Sequence, residues 1–132
     1  MNHIIAQVQE IQSIQNLNIL SFICQGTTLK MMSLDLNNTV TTDSQVILTC
    51  KSTAIAIAKN LKGEVSYSNQ LSVKILSIEI GELLCVLKLQ FNDFILESII
   101  TTNSFKQMRL NIGDEVTALI KSSDLSLKKV LV

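Results

Sequence analysis

The clearest alternation of apolar and polar positions lies in the second half of the chain. In "LSVKILSIEIG" (71–81), Val73 and Ile75 and then Ile78 and Ile80 fall two apart, which puts each pair on one face of a strand. Gly81-Glu82 predicts a turn, and "LLCVLKLQF" (83–91) the next strand. Asn92-Asp93 is a tight hairpin signal, after which "FILESIIT" (94–101) returns. Phe105, Met108 and Leu110 stand at roughly helical spacing and predict one or two helical turns, closed by Gly113. "EVTALIK" (115–121) and "LSLKKVLV" (125–132) complete five strands, with a small helix before the fourth.

The first half repeats this order less clearly. "HIIAQVQEI", "LNILSFICQ", "LKMMSLDL", "QVILTCK" and "AIAIAK" read as strands, and the helix is reduced to the polar loop "NNTVTTDS". Two copies at a period of about 65–70 residues fix the architecture before any motif does. The expected domains are residues 1–60, a degenerate first repeat, and 66–132, a second one, bridged by the polar stretch 60–69. Five short strands with one small helix suggest a small barrel of the oligonucleotide/oligosaccharide-binding (OB) type. The fold class is therefore all-β, with two tandem OB-like barrels. Barrel closure or exchange of strands between the copies would remove exposed edges.

Composition narrows the chemistry. With 132 residues and 47% hydrophobic content the chain can build a packed core. Lys plus Arg and Asp plus Glu both number 11, so no global field draws in nucleic acid or an anionic membrane. No apolar run is long enough to span a bilayer, and the start, "MNHIIAQVQEIQ", does not read as a secretion signal. Cys24, Cys50 and Cys85 have no CxxC spacing and read as buried, reduced thiols of a cytoplasmic protein.

One feature of the pattern asks for chemistry. Lys51-Ser52 and Lys121-Ser122 each follow a strongly apolar strand, at matching places in the two copies. A lysine at a strand end is ordinarily a solvated terminus. With its stem on an apolar wall, however, it offers a positioned charge and three donors. The neighbouring hydroxyl and backbone N–H groups add more. Such a corner suits a small tetrahedral dianion, which needs donors and no acceptors.

"SYSNQL" (66–71), "TTNS" (101–104) and "GDEVTALIKSSD" (113–124) resemble the landmark stretches of Mop, or molbindin, domains, the TOBE-type modules that bind molybdate and tungstate. The likeness is good over 66–127. It is weaker but in register over 1–59, where "NHIIAQV" aligns with "NQLSVKI". A tandem pair resembles the di-Mop molbindins and the effector half of molybdate-responsive regulators. The resemblance implies an oxyanion held at domain or subunit interfaces. Lys121 and Ser122 would supply charge and hydroxyl, Thr101 and Ser104 hydroxyls, and Ser66 the hydroxyl of the opening motif. Ser68 stands where the family usually has arginine, which removes a five-donor cation. In the first repeat Lys51 and Ser52 carry over. Homo-oligomers are implied, with a trimer favoured over a dimer.

No Ser-His-Asp, Cys-His, HExxH or P-loop pattern is present, and His3 has no partner cluster, so no enzyme, catalytic residue or directly ligated metal is expected. The function expected is storage, buffering or sensing of molybdate or tungstate. Two alternatives stay open: a TOBE-like accessory domain without the anion, and an OB module for nucleic acid. The second is weakened by aromatic content of 4% and by the neutral charge.

Overall fold

The computed structural model describes residues 1–131. Among these residues ten strands form in chain order: β1 (Asn2–Ile14), β2 (Leu17–Cys24), β3 (Thr27–Leu34), β4 (Gln45–Cys50), β5 (Ala56–Ala58), β6 (Asn69–Ile80), β7 (Leu84–Phe91), β8 (Phe94–Thr101), β9 (Glu115–Ile120) and β10 (Ser126–Leu131). One helix, α1 (Thr102–Met108), follows β8. The alternation seen in the sequence becomes burial. Ile4, Ala6 and Val8 of β1 and Leu71, Val73 and Ile75 of β6 point inward, and the residues between them are exposed.

The strands make two five-stranded sheets, in the orders β10-β4-β1-β2-β3 and β5-β9-β6-β7-β8. Each sheet takes its outermost strand from the other half of the chain. β5, which follows the first repeat's β4, pairs with β9, with Ala56 opposite Leu119. β10, which follows β9, pairs with β4, with Ser126 opposite Thr49. The exchange covers one flank of β4 and one of β9, so neither apolar strand is left as an open edge. The buried side chains form one cluster that spans both sheets.

Further correspondences show that the halves are copies. β1 bulges between Val8 and Glu10, and β6 between Ile75 and Ser77. At the first bulge Val8 N–H donates to Ser44 O at 2.8 Å; at the second, Ile75 N–H donates to Asp114 O at 2.9 Å. The bulge bends the long strand, so its first part pairs with β4 or β9 and its second part with β2 or β7.

The helix belongs to the second half alone; residues 35–44 are a turn-rich loop. Thr101 caps α1 by accepting from Ser104 N–H at 3.1 Å. The helix ends earlier than the sequence suggested. Arg109, in the left-handed region at φ 51°, terminates it, and Gly113 (φ 92°) serves the next turn into β9. The glycine signal was real but belonged to a different turn.

Two buried asparagines tie the sheets together. Asn69, fully buried, accepts from Lys30 N–H at 2.7 Å and donates to Lys30 O at 2.9 Å and Ile120 O at 3.1 Å. Asn2 does the same to β8: it accepts from Glu97 N–H at 2.6 Å and donates to Glu97 O at 2.9 Å. Each amide thus completes the backbone pairing of a strand in the opposite sheet. Asn69→Ala leaves buried backbone groups without partners and should lower stability by at least ~2 kcal/mol, measured by urea unfolding. An unchanged midpoint would refute the clamp.

Candidate functional site

Both lysine–serine corners sit where the chain leaves one sheet for the other. Lys51 follows β4 and precedes a single 3-10 turn, Ser52–Ala54; Lys121 follows β9 and precedes the turn Ser122–Asp124. The backbone is the same at both: φ −73°, ψ 146° at Lys51 and φ −66°, ψ 146° at Lys121. Lys51 O accepts from Ala54 N–H at 2.9 Å, and Lys121 O from Asp124 N–H at 3.0 Å. Ile55 and Leu125, just past the turns, are buried and anchor them to the core. The recurrence of lysine and hydroxyl therefore marks the crossover itself. Both lysines are exposed, and neither ammonium has a hydrogen bond or ion pair among the described residues.

Lys51 lies on a groove of about 220 Å³ whose lining also includes Cys50 and, from the other turn, Ser123 and Asp124, but neither Lys121 nor Ser122. The surroundings of the serines differ. Ser52 Oγ donates to Glu97 Oε2 at 2.8 Å, and Lys88 Nζ donates to the other oxygen, Glu97 Oε1, at 3.0 Å. These two donors hold the Glu97 carboxyl below its ordinary pKa, the lysine contributing most. Ser122 has no such partner among the described residues. Its turn packs against β3, whose residue clamped by Asn69 is Lys30. Register makes Lys30 the counterpart of Glu97: one faces Ser21 across β2–β3, the other faces Lys88 across β7–β8.

The remaining expected residues fall elsewhere. Ser66 and Ser68 are exposed on the approach to β6, beside the clamp residue Asn69, and neither side chain is hydrogen-bonded among the described residues. Thr101 and Ser104 sit together, with Thr101 Oγ1 donating to Ser104 Oγ at 2.9 Å. They lie at the far end of the sheet from Lys121. Thr101 pairs with Leu84 near the β6–β7 turn, while Ile120 pairs with Asn69 at the start of β6. Within one chain the "TTNS" segment and the Lys121–Ser122 corner therefore do not meet. Lys30, Glu97 and Lys88 were not singled out in the sequence. Aligning "NHIIAQV" under "NQLSVKI" would have found the first two, because that offset sets Lys30 against Glu97.

The three cysteines are buried and free. Burial pushes the Cys50 thiol up to about 11, against a smaller opposing effect of the Asn2 amide. No group of three His, Cys, Asp or Glu side chains that could hold a metal ion occurs among the described residues. No helix among them is long and apolar enough to cross a membrane.

Comparison with known proteins bears on the fold. Residues 66–127 match the TOBE domain family, so the resemblance carried by "SYSNQL", "TTNS" and "GDEVTALIKSSD" holds for the second repeat. The whole chain also has the fold of a solved protein. It superposes on the cytoplasmic molybdate-binding protein ModG, in a form with molybdate bound, at a TM-score of 0.89 and 17% identity, covering 96% of this chain and 94% of that one. The fold expected from the strand pattern, two five-stranded OB-like units with one short helix, is the fold observed. Comparison with curated proteins gives no match.

Two expected outcomes follow. Iodoacetamide at pH 8 should leave all three thiols unmodified in the folded protein and label them on unfolding, as read by mass spectrometry; labelling of the native chain would contradict the burial. Because the Glu97 pKa is lowered on folding, its contribution to stability is present above the ordinary glutamate range and is lost as pH falls through the lowered value. The melting temperature of Glu97→Gln should therefore fall less steeply with acid than that of the parent chain.

Proposed function

We propose that the protein binds molybdate or tungstate as the tetrahedral dianion and serves to store, buffer or sense it. The observation that carries this reading is the repeated lysine–serine corner. Two crossovers of matching backbone geometry each present a lysine ammonium without a partner among the described residues beside a serine, Ser122 with no hydrogen bond among them and Ser52 bonded to Glu97. On a chain of zero net charge, such a local set of donors is what concentrates a dianion. The fold shared with a protein that binds molybdate supports the choice of ion.

In this reading Lys121 Nζ supplies charge and Ser122 a hydroxyl, with Ser66 and Ser68 lining the approach. Lys51 and Ser52 form the corresponding set of the first repeat. Thr101 and Ser104 lie at the opposite end of their sheet, so they would join a Lys–Ser corner only from a second copy of the chain. The hairpin beside them carries Ile80, Leu83 and Leu84, all more than half exposed, which supports burial of that tip in a homo-oligomer, a trimer foremost. A cage of fixed donors would favour the larger molybdate and tungstate ions over sulfate. The anion is cargo, and no catalytic step is assigned; the protein would act in the cytoplasm, without nucleic acid or membrane.

Thermal unfolding tests this. A ligand that binds only the folded state stabilises it by about 2.7 kcal/mol at a hundredfold excess over Kd. Molybdate and tungstate should raise the midpoint, and sulfate should do so far less. Lys121→Ala should weaken binding at least about tenfold, the loss of one charge-assisted contact. No shift at millimolar molybdate would refute the reading.

A further inference from the structure

The two corners are copies in backbone but opposites in charge. We propose that Glu97 acts as a built-in anion that fills the first corner, so that an exchangeable dianion is taken at the second, where Lys30 is an additional binding residue. This rests on the oxyanion reading above and assigns it to one of two sites.

The geometry is specific. A carboxylate is itself a small acceptor-only anion, and Glu97 already uses donors of the kind a bound oxyanion needs. One oxygen takes the Ser52 hydroxyl at 2.8 Å and the other takes Lys88 Nζ at 3.0 Å. Its backbone is fixed by the two Asn2 bonds, so the side chain starts from a rigid point on β8. A free dianion entering beside Ser52 would meet a like charge and would have to displace the carboxylate from both donors. Asp124 belongs to the second corner's turn, Ser122–Asp124, but lines the groove that holds Lys51, so its charge also bears on the first corner; the matching residue of the first turn is Ala54.

At the second corner the residue that matches Glu97 is a lysine, Lys30. The Asn69 clamp fixes the backbone of Lys30 as Asn2 fixes that of Glu97. An ammonium therefore projects from the position that carries a carboxylate in the other copy. The neighbour across the strand pair is neutral Ser21 in place of Lys88. Lys30 has no ion pair among the described residues, and its strand packs on the Ser122–Asp124 turn. Lys30 on β3, with the Lys121–Ser122 corner on the turn packed against that strand, thus stands where the first copy has Glu97 engaging Ser52 and Lys88.

Isothermal titration with sodium molybdate tests the assignment, using the intact chain and its Glu97→Ser, Glu97→Gln and Lys30→Ala variants. Removing the carboxylate by Glu97→Ser or Glu97→Gln should raise the number of molybdate ions bound per chain, and adding Lys51→Ala to either should abolish the added ions. Lys30→Ala should weaken the binding already present by about tenfold. Circular dichroism melts confirm that each variant is folded, and the glutamine variant keeps the side-chain shape. Unchanged stoichiometry in both Glu97 variants, or full affinity in Lys30→Ala, would overturn the assignment while leaving molybdate binding intact. Absence of any binding by the parent chain would instead overturn the oxyanion reading and this assignment with it.

Discussion

Exchange of a strand between the two halves is the constraint on which the rest of the structure depends. β4 and β9 are apolar strands with β1 or β6 on one flank only. Each would be an open edge if the other repeat did not lend it a strand. The crossing connections must turn sharply at the ends of buried strands. Those turns put a lysine and a serine in one place, twice. Covering an edge and grouping the donors are the same structural event.

The asparagines show how such an arrangement is made specific. A buried amide left unpaired is costly, so Asn2 and Asn69 tolerate few alternative registers. Each reaches across to the third strand of the opposite half and substitutes for a missing strand partner. That fixes residues 30 and 97 against the crossover turns. From two sequences so similar in backbone, a single difference of sign at that position makes two electrostatic environments. Copies that share a scaffold can therefore diverge in chemistry without any change in fold.

Most of the fold was legible. The two-residue period gave the strands, and Asn92-Asp93 and Gly81 marked hairpins, because local backbone preference and burial agree there. The helix was found from Phe105, Met108 and Leu110, but its end was misplaced. A non-glycine residue, Arg109, adopts the left-handed cap, and sequence preference for glycine pointed past it to Gly113. The lysine–serine corners were legible as a recurrence.

What the chain determined by itself was the periodic part: strand positions, the twofold repeat and the paired corners, all set by interactions within a few residues or by repetition. Tertiary structure alone decided which sheet each last strand joins, because β5 and β10 carry no label for their partner and only closing both sheets selects it. It alone brought Ser52 to Glu97, which are 45 positions apart, and Asn69 to Lys30, which are 39 apart. Sequence spacing cannot report such meetings, since the electrostatic character of a corner depends on side chains delivered by the opposite half of the molecule.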